Sequence, residues 1–192
     1  MSPEKLRVAV IIGSTRTGRF GPVPANWIAA EASKRGDLDV DVIDLAKAWL
    51  PDVLGDGGAA PQPVQDLSPW LASADAFVMV TPEYNHSFPA SLKNAIDWYV
   101  EEWKAKPIGF VSYGGIAGGL RSVAHLREVL PGMHAITVRD TVSFHDCWEQ
   151  FDEEGAPRDP EGCSAAAKAM LDQLSWWGHL LRDARTSRPY PG

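Results

Sequence analysis

LRVAVIIGSTRTGRFGPVPANW, residues 6–27, decides the fold. Its first third, Leu6-Arg7-Val8-Ala9-Val10-Ile11-Ile12, is a short apolar run with β-branched residues that stops at Gly13. That pattern predicts a strand buried on both faces, as in a parallel sheet covered by helices. Over residues 22–35, Val23, Trp27 and Ala30 recur at helical spacing, and Pro22 or Pro24 is tolerated in a first turn. Strand, glycine-rich turn and helix follow one another within a few dozen residues.

Working outward, the alternation continues. Strands are predicted at roughly 39–45, 74–80, 107–112 and 134–139. Between them, Leu92, Ile96, Tyr99 or Val100, and Trp103 form one helical stripe, and Val123, Leu126 and Leu130 form another. A last helix, near 163–185, carries Met170, Leu174, Trp177 and Leu181 on one face. Strands alternating with helices imply parallel pairing through crossovers, hence a doubly wound α/β sandwich of five strands. Residues 51–69, rich in Pro and Gly, read as a surface connection. Residues 144–162 hold Phe144, His145, Trp148 and Phe151 among acidic and turn residues, and are expected at an interface.

The whole chain, 1–192, suits a single domain long enough to bury a core without staples. Hydrophobic residues make up 45% and charged residues 22%, which argues against disorder. Eighteen basic against 25 acidic side chains leave a net charge of −7, a poor match for a nucleic-acid backbone. No apolar run is long enough to span a bilayer, and residues 1–12 lack the layout of a secretory signal. Cys147 and Cys163 are the only cysteines, without CxxC spacing, so neither a disulfide framework nor a metal site is expected. A cytoplasmic protein without membrane insertion is the expectation.

In an open parallel sheet, ligands bind beyond the carboxyl ends of the strands, where the strand order reverses. That rule selects three loops. In Gly13-Ser14-Thr15-Arg16-Thr17-Gly18-Arg19-Phe20-Gly21, backbone N–H groups at the helix start, two hydroxyls and two guanidiniums can surround a phosphate. The loop lacks the Lys-Ser/Thr ending of a P-loop and is not G-x-G-x-x-G, so a compact terminal monophosphate fits it better than a dinucleotide. In Thr81-Pro82-Glu83-Tyr84-Asn85-His86-Ser87-Phe88-Pro89, two prolines stiffen a run of amides able to read the edge of a planar heterocycle. In Ser112-Tyr113-Gly114-Gly115-Ile116-Ala117-Gly118-Gly119-Leu120-Arg121, paired glycines admit a ligand close to the backbone, and Tyr113 is placed to cover a ring.

Together, GSTRTGRFGPVPANW at 13–27, TPEYNHSFPASLKNAIDW at 81–98 and VSYGGIAGGLR at 111–121 resemble the NAD(P)H-dependent FMN reductase family. The resemblance implies a flavodoxin-like three-layer sandwich with strand order 2-1-3-4-5 and non-covalently bound FMN. By motif position it puts Ser14, Thr15, Arg16 and Arg19 at the FMN phosphate. It puts Pro82, Glu83, Tyr84, Asn85 and His86 beside the flavin, and Ser112, Tyr113, Gly114 and Gly115 at its other edge. It implies NADPH or NADH as hydride donor, with the chemistry at flavin N5 and no catalytic side chain assigned. A quinone is the first expectation for the acceptor. The first loop departs from the T-x-T-G-x-T pattern of small flavodoxins, which favours a reductase. A flavin-binding electron carrier or redox-responsive interaction protein is the alternative. The family also implies a homodimer, with Trp98 and Trp103 as residues able to pack across its boundary.

Overall fold

A computed structural model describes residues 4–55 and 57–191. Strands β1 (Leu6–Ile12), β2 (Leu38–Asp44), β3 (Ala76–Pro82), β4 (Pro107–Tyr113) and β5 (Ile136–Phe144) form a parallel sheet in the order 2-1-3-4-5. Helices α1 (Pro22–Ser33) and α6 (Pro160–Ser187) cover one face. The other face carries α3 (Gln62–Ser73), α4 (Ala90–Trp98) and α5 (Leu120–Val129), with the one-turn α2 (Leu45–Ala48) beside them.

The two-residue period of a strand explains the two cores. Leu6, Val8, Val10 and Ile12 of β1 pack on Ile28, Met170 and Leu174, while Ala9 and Ile11 face Leu71, Leu92 and Ile96. β1 and β3 are therefore apolar on both sides. β2 lies at the sheet edge, burying Leu38 and Ile43 while Asp39 and Val42 are exposed. The register of β4 on β5 shifts between Ile108 and Phe110, where Gly109 leaves room for Met170.

Several expectations are corrected. Within 51–69, residues from 62 onward form α3: Pro61 precedes it, Pro63 sits in its first turn, and Val64, Leu67 and Leu71 make the buried stripe. The prolines suggest a loop from sequence, yet Pro61 and Pro63 remove only donors that lack partners anyway, and Pro69 is carried inside the helix. β3 runs to Pro82 and β5 spans 136–144, because Val142 and Phe144 still alternate inward on a polar-looking strand. In α1, Ala29 and Ala32 are buried rather than Ala30. α4 ends at Trp98, and a turn then carries Trp103 into the core, where its ring lies 4.8 Å from Phe77 and its indole N–H donates to Ile96 O at 3.2 Å. Trp103 is 1% exposed and has no surface to offer a partner.

The 144–162 segment is packed down rather than free. Phe144 and Phe151 are buried 4.6 Å apart, with Trp27 and Phe20 completing the aromatic cluster. Trp148 and the His145 imidazole are turned outward. α6 starts at Pro160, capped by the Asp159 carboxylate, which accepts from Gly162 N at 2.9 Å.

At the amino end of the strands, Lys106 is 5% exposed, and its ammonium donates to Leu71 O at 2.9 Å and Ala72 O at 2.8 Å, where α3 ends. A cation suits the negative end of a helix. Burial, with Arg185 nearby, nevertheless pushes the amine from the usual 10.5 down to about 8. Between those values the unfolded chain holds more protons than the native one, so this residue raises stability as pH climbs through that window. Lys106→Met should remove that component. Urea midpoints for both proteins at about pH 7 and about pH 10 check it, and an equal rise in the two would refute it.

Candidate functional site at the carboxyl edge of the sheet

The loops after β1, β3 and β4 meet at one edge. Gly13 N donates to Val80 O at 2.9 Å and Ser91 Oγ to Gly13 O at 2.6 Å, tying the first loop to β3 and α4. Ser14 is fully buried, with its hydroxyl 2.7 Å from the Tyr84 phenol. Glu83 N donates to Tyr113 O at 3.1 Å, joining the second loop to the third.

In the first loop, Arg19 N closes on Arg16 O at 3.2 Å around Gly18, whose φ of +68° suits a residue without a Cβ. Thr15, Arg16 and Thr17 are exposed. Among the described residues, no acceptor meets the backbone N–H of Ser14, Thr15, Arg16, Thr17 or Gly18. Five consecutive free donors form an anion-binding concavity. The start of α1 adds little: Pro22 and Pro24 have no N–H, and Val23 N donates to Phe20 O at 3.0 Å. The donors therefore come from the loop and not, as sequence suggests, from the helix end.

The two arginines differ. Arg16 has no side-chain partner among the described residues. Arg19 holds Asp44 at the end of β2, with Nη2 2.5 Å from Oδ2, while Asp44 Oδ1 caps α2 by accepting from Ala46 N at 3.1 Å. One face of the Arg19 guanidinium is thus already occupied, but its Nε is buried without an acceptor.

The second loop is a tight hairpin turn. Tyr84 N donates to Ser87 O at 2.8 Å and Ser87 N to Tyr84 O at 3.0 Å, with φ of +50° at Asn85 and +69° at His86. Two positive φ values define a type I′ turn, in which Asn is favoured first and Gly second. His86 takes the glycine position, at a cost of about 1 kcal/mol or more. Asn85 and His86 are exposed, and their N–H groups meet no acceptor among the described residues. Pro82 is buried, its carbonyl accepting from Ser122 Oγ at 2.7 Å. The Glu83 carboxylate pairs with Arg121 at 2.7 Å and also accepts from Arg121 N at 3.2 Å. It is engaged as a strut and is not a free acid or base.

In the third loop, Ser112 and Tyr113 point inward. Ser112 Oγ donates to Gly118 O at 2.8 Å, and Ser143 Oγ joins it on the same carbonyl at 2.7 Å. Tyr113 is 4% exposed, its ring 5.9 Å from Phe20 and its hydroxyl beneath Gly21, where a Cβ would come within 2.7 Å. Burial, with Tyr84 adding to it, raises the phenol well above its ordinary value. The Tyr113 side chain is therefore a floor between two loops and cannot cover a ring, contrary to the sequence expectation. Gly114 and Gly115 do line the edge, and Gly115 N meets no acceptor among the described residues.

Sequence reasoning missed several contributors. Ser91 and Asn94 lie inside the second motif but gain meaning only from the fold. A cavity of about 310 Å³ beside the first loop is lined by Thr15, Leu45, Trp49, Asp52, Ser91 and Asn94. No sequence signal marks Trp49 or Asp44 for that neighbourhood.

A family model described as NADPH-dependent FMN reductase matches residues 6–149. The chain is 37% identical over 161 residues to an NAD(P)H-dependent FMN reductase of Schizosaccharomyces pombe, covering 73% of this chain and 80% of that one. It is 35% identical over 142 residues to a quinone reductase of Escherichia coli, covering 70% and 74%. Among solved structures, the flavoenzyme NAD(P)H:(acceptor) oxidoreductase FerB of Paracoccus denitrificans superposes with a TM-score of 0.74 at 24% identity, covering 91% and 98%, a likeness of fold.

Gly119 tests the rigidity of this edge. Its φ is +82°, and a Cβ there would lie 2.7 Å from Ser112 Cβ and 2.8 Å from Tyr113 N. Gly119→Ala should lower stability by about 2 kcal/mol or more, read from the urea midpoint. A loss under about 0.5 kcal/mol would show that the edge yields easily.

Proposed function

The chain belongs to the NADPH-dependent FMN reductase family, and on that footing we propose that it is an FMN-dependent NAD(P)H oxidoreductase reducing a small acceptor, a quinone first. The observation that carries this reading is the run of unpaired N–H groups from Ser14 to Gly18, beside free Arg16 and the orphaned Nε of Arg19. A phosphate monoester supplies the acceptors that these donors lack.

Ser14, Thr15, Arg16 and Arg19 would hold the phosphate, chiefly by backbone, with Arg16 giving the full guanidinium and Arg19 its spare Nε. Pro82, Glu83, Tyr84, Asn85 and His86 would flank the flavin ring on one side. On the other, Gly114 and Gly115 would approach it, with Ser112 and Tyr113 as buried supports. Bound FMN supplies a two-electron centre, so that NAD(P)H, one proton and a quinone become NAD(P)⁺ and a hydroquinone. The free N–H groups of Asn85, His86 and Gly115 are fixed dipoles that would favour negative charge on a ring bound beside them. The Ser14 hydroxyl and Tyr84 phenol keep the first two loops in register. Glu83, bound to Arg121, supplies a rigid wall and moves no proton.

The homodimer and the cytoplasm complete the proposal. An apolar surface of Trp49, Val53, Leu54 and Trp70, exposed by 80%, 80%, 48% and 52%, supports a second copy near the site. Few cysteines fit a reducing compartment. Among the described residues, no helix is long and apolar enough to cross a membrane.

Purified protein should bind FMN and bleach anaerobically with NADPH or NADH in stopped flow. Binding of FMN with no such reduction would instead favour an electron carrier. Arg16→Ala should weaken FMN by about tenfold or more, as expected for a lost hydrogen bond to a charged group. Fluorescence titration measures this, and an unchanged affinity removes Arg16 from the phosphate site. Sedimentation should give twice the chain mass, and Trp49→Glu with Trp70→Glu should halve it. A monomeric wild type overturns the dimer.

A further inference from the structure

The outward turn of Trp148 is not explained by packing. It lies in the one-turn helix Cys147–Glu149, between the buried anchors Cys147 and Phe151. The backbone before it is fastened to the third loop: Asp146 N donates to Gly115 O at 3.0 Å and Cys147 N to Gly114 O at 2.9 Å. Asp146 takes a φ of +43° to make that junction. Glu149 N returns to Asp146 O at 2.8 Å. The indole is thus mounted on a rigid base and is still 64% exposed. Its Cη2 lies 3.6 Å from where a Gly115 Cβ would stand, so glycine keeps the space beside the ring open.

Ile116, 87% exposed, follows Gly115 in the chain, its carbonyl 2.9 Å from the His145 imidazole Nδ1. Asp146 and Glu149 flank the indole in sequence, and Asp152, Glu153 and Glu154 follow. An exposed indole with carboxylates beside it suits a neutral planar molecule better than a small anion.

We propose that Trp148, with Ile116, is a specificity-determining platform for neutral fused-ring quinones at the Gly114–Gly115 edge. This rests on the FMN reading above, which places the same two glycines at the flavin. The indole overlaps the second ring of a naphthoquinone, a contact that a one-ring quinone lacks.

The test uses the FMN-loaded enzyme. Trp148→Ala should raise KM for 1,4-naphthoquinone by about tenfold and leave KM for 1,4-benzoquinone within about twofold, and Trp148→Phe should recover most of the difference. Calorimetric titration of the oxidised enzyme with 1,4-naphthoquinone, without nicotinamide, should show the same loss of affinity in the alanine variant. FMN affinity and the rate of reduction by NADPH should not move. Trp176→Ala, on the outer face of α6 and 62% exposed, is the control that leaves every readout at wild type. Equal effects on both quinones, no effect on either, or slowed reduction by NADPH would each overturn the platform while leaving the FMN reading intact. A wild type that binds no FMN is seen before any variant is made, and sinks both.

Discussion

β1 pairs with β2 on one side and β3 on the other, and the rest of the site depends on that placement. Chain connections leave the sheet in opposite directions from this point, so the carboxyl ends of β1 and β3 open a crevice that no crossover fills. The strands can occupy the centre only because their residues are apolar on both faces. Each contributes side chains to both cores, so neither core forms without the pairing that opens the crevice.

At that edge, side chains build and backbone is left over. Ser14 meets Tyr84, Ser112 holds Gly118, Glu83 holds Arg121, and Arg19 holds Asp44. Each of these polar groups is satisfied within the protein, which fixes the loops without a ligand. What lacks partners among the described residues is a set of peptide N–H groups on three loops, together with the Arg16 guanidinium, the Arg19 Nε and the buried Tyr113 hydroxyl. The exposed donors are met by water until an anion arrives, while the buried Arg19 Nε bears the cost of an unmade hydrogen bond. A site of this kind is preorganised for a ligand that brings acceptors and a flat ring, and it supplies little acid-base chemistry of its own.

The amino end of the sheet is built on a different balance. Lys106 is held between two carbonyls with Phe77 beneath it, and its charge is kept inside the protein. Asp75 reaches Arg182 and Arg185 at 3.5 and 3.4 Å in the same region. One edge of the sheet is thus electrostatically closed, and the other is left open to solvent and ligand.

Sequence by itself determined the layering, the strand alternation and the three loops of the site, because these follow from local signals: apolar runs of fixed period, glycines where chains turn, and motifs contiguous in the chain. It read α3 as a loop, since Pro61 and Pro63 look the same in a first turn as in a linker until a buried stripe on the sheet is seen. It also placed side chains less well than backbone. Whether Tyr113 lies over or under its loop, whether Arg19 faces a ligand or Asp44, and whether Trp103 or Trp148 reaches the surface depend on residues tens of positions away. Only the tertiary structure decided those points, because a side chain's direction is set by what packs beside it, and spacing along the chain carries no record of that neighbour.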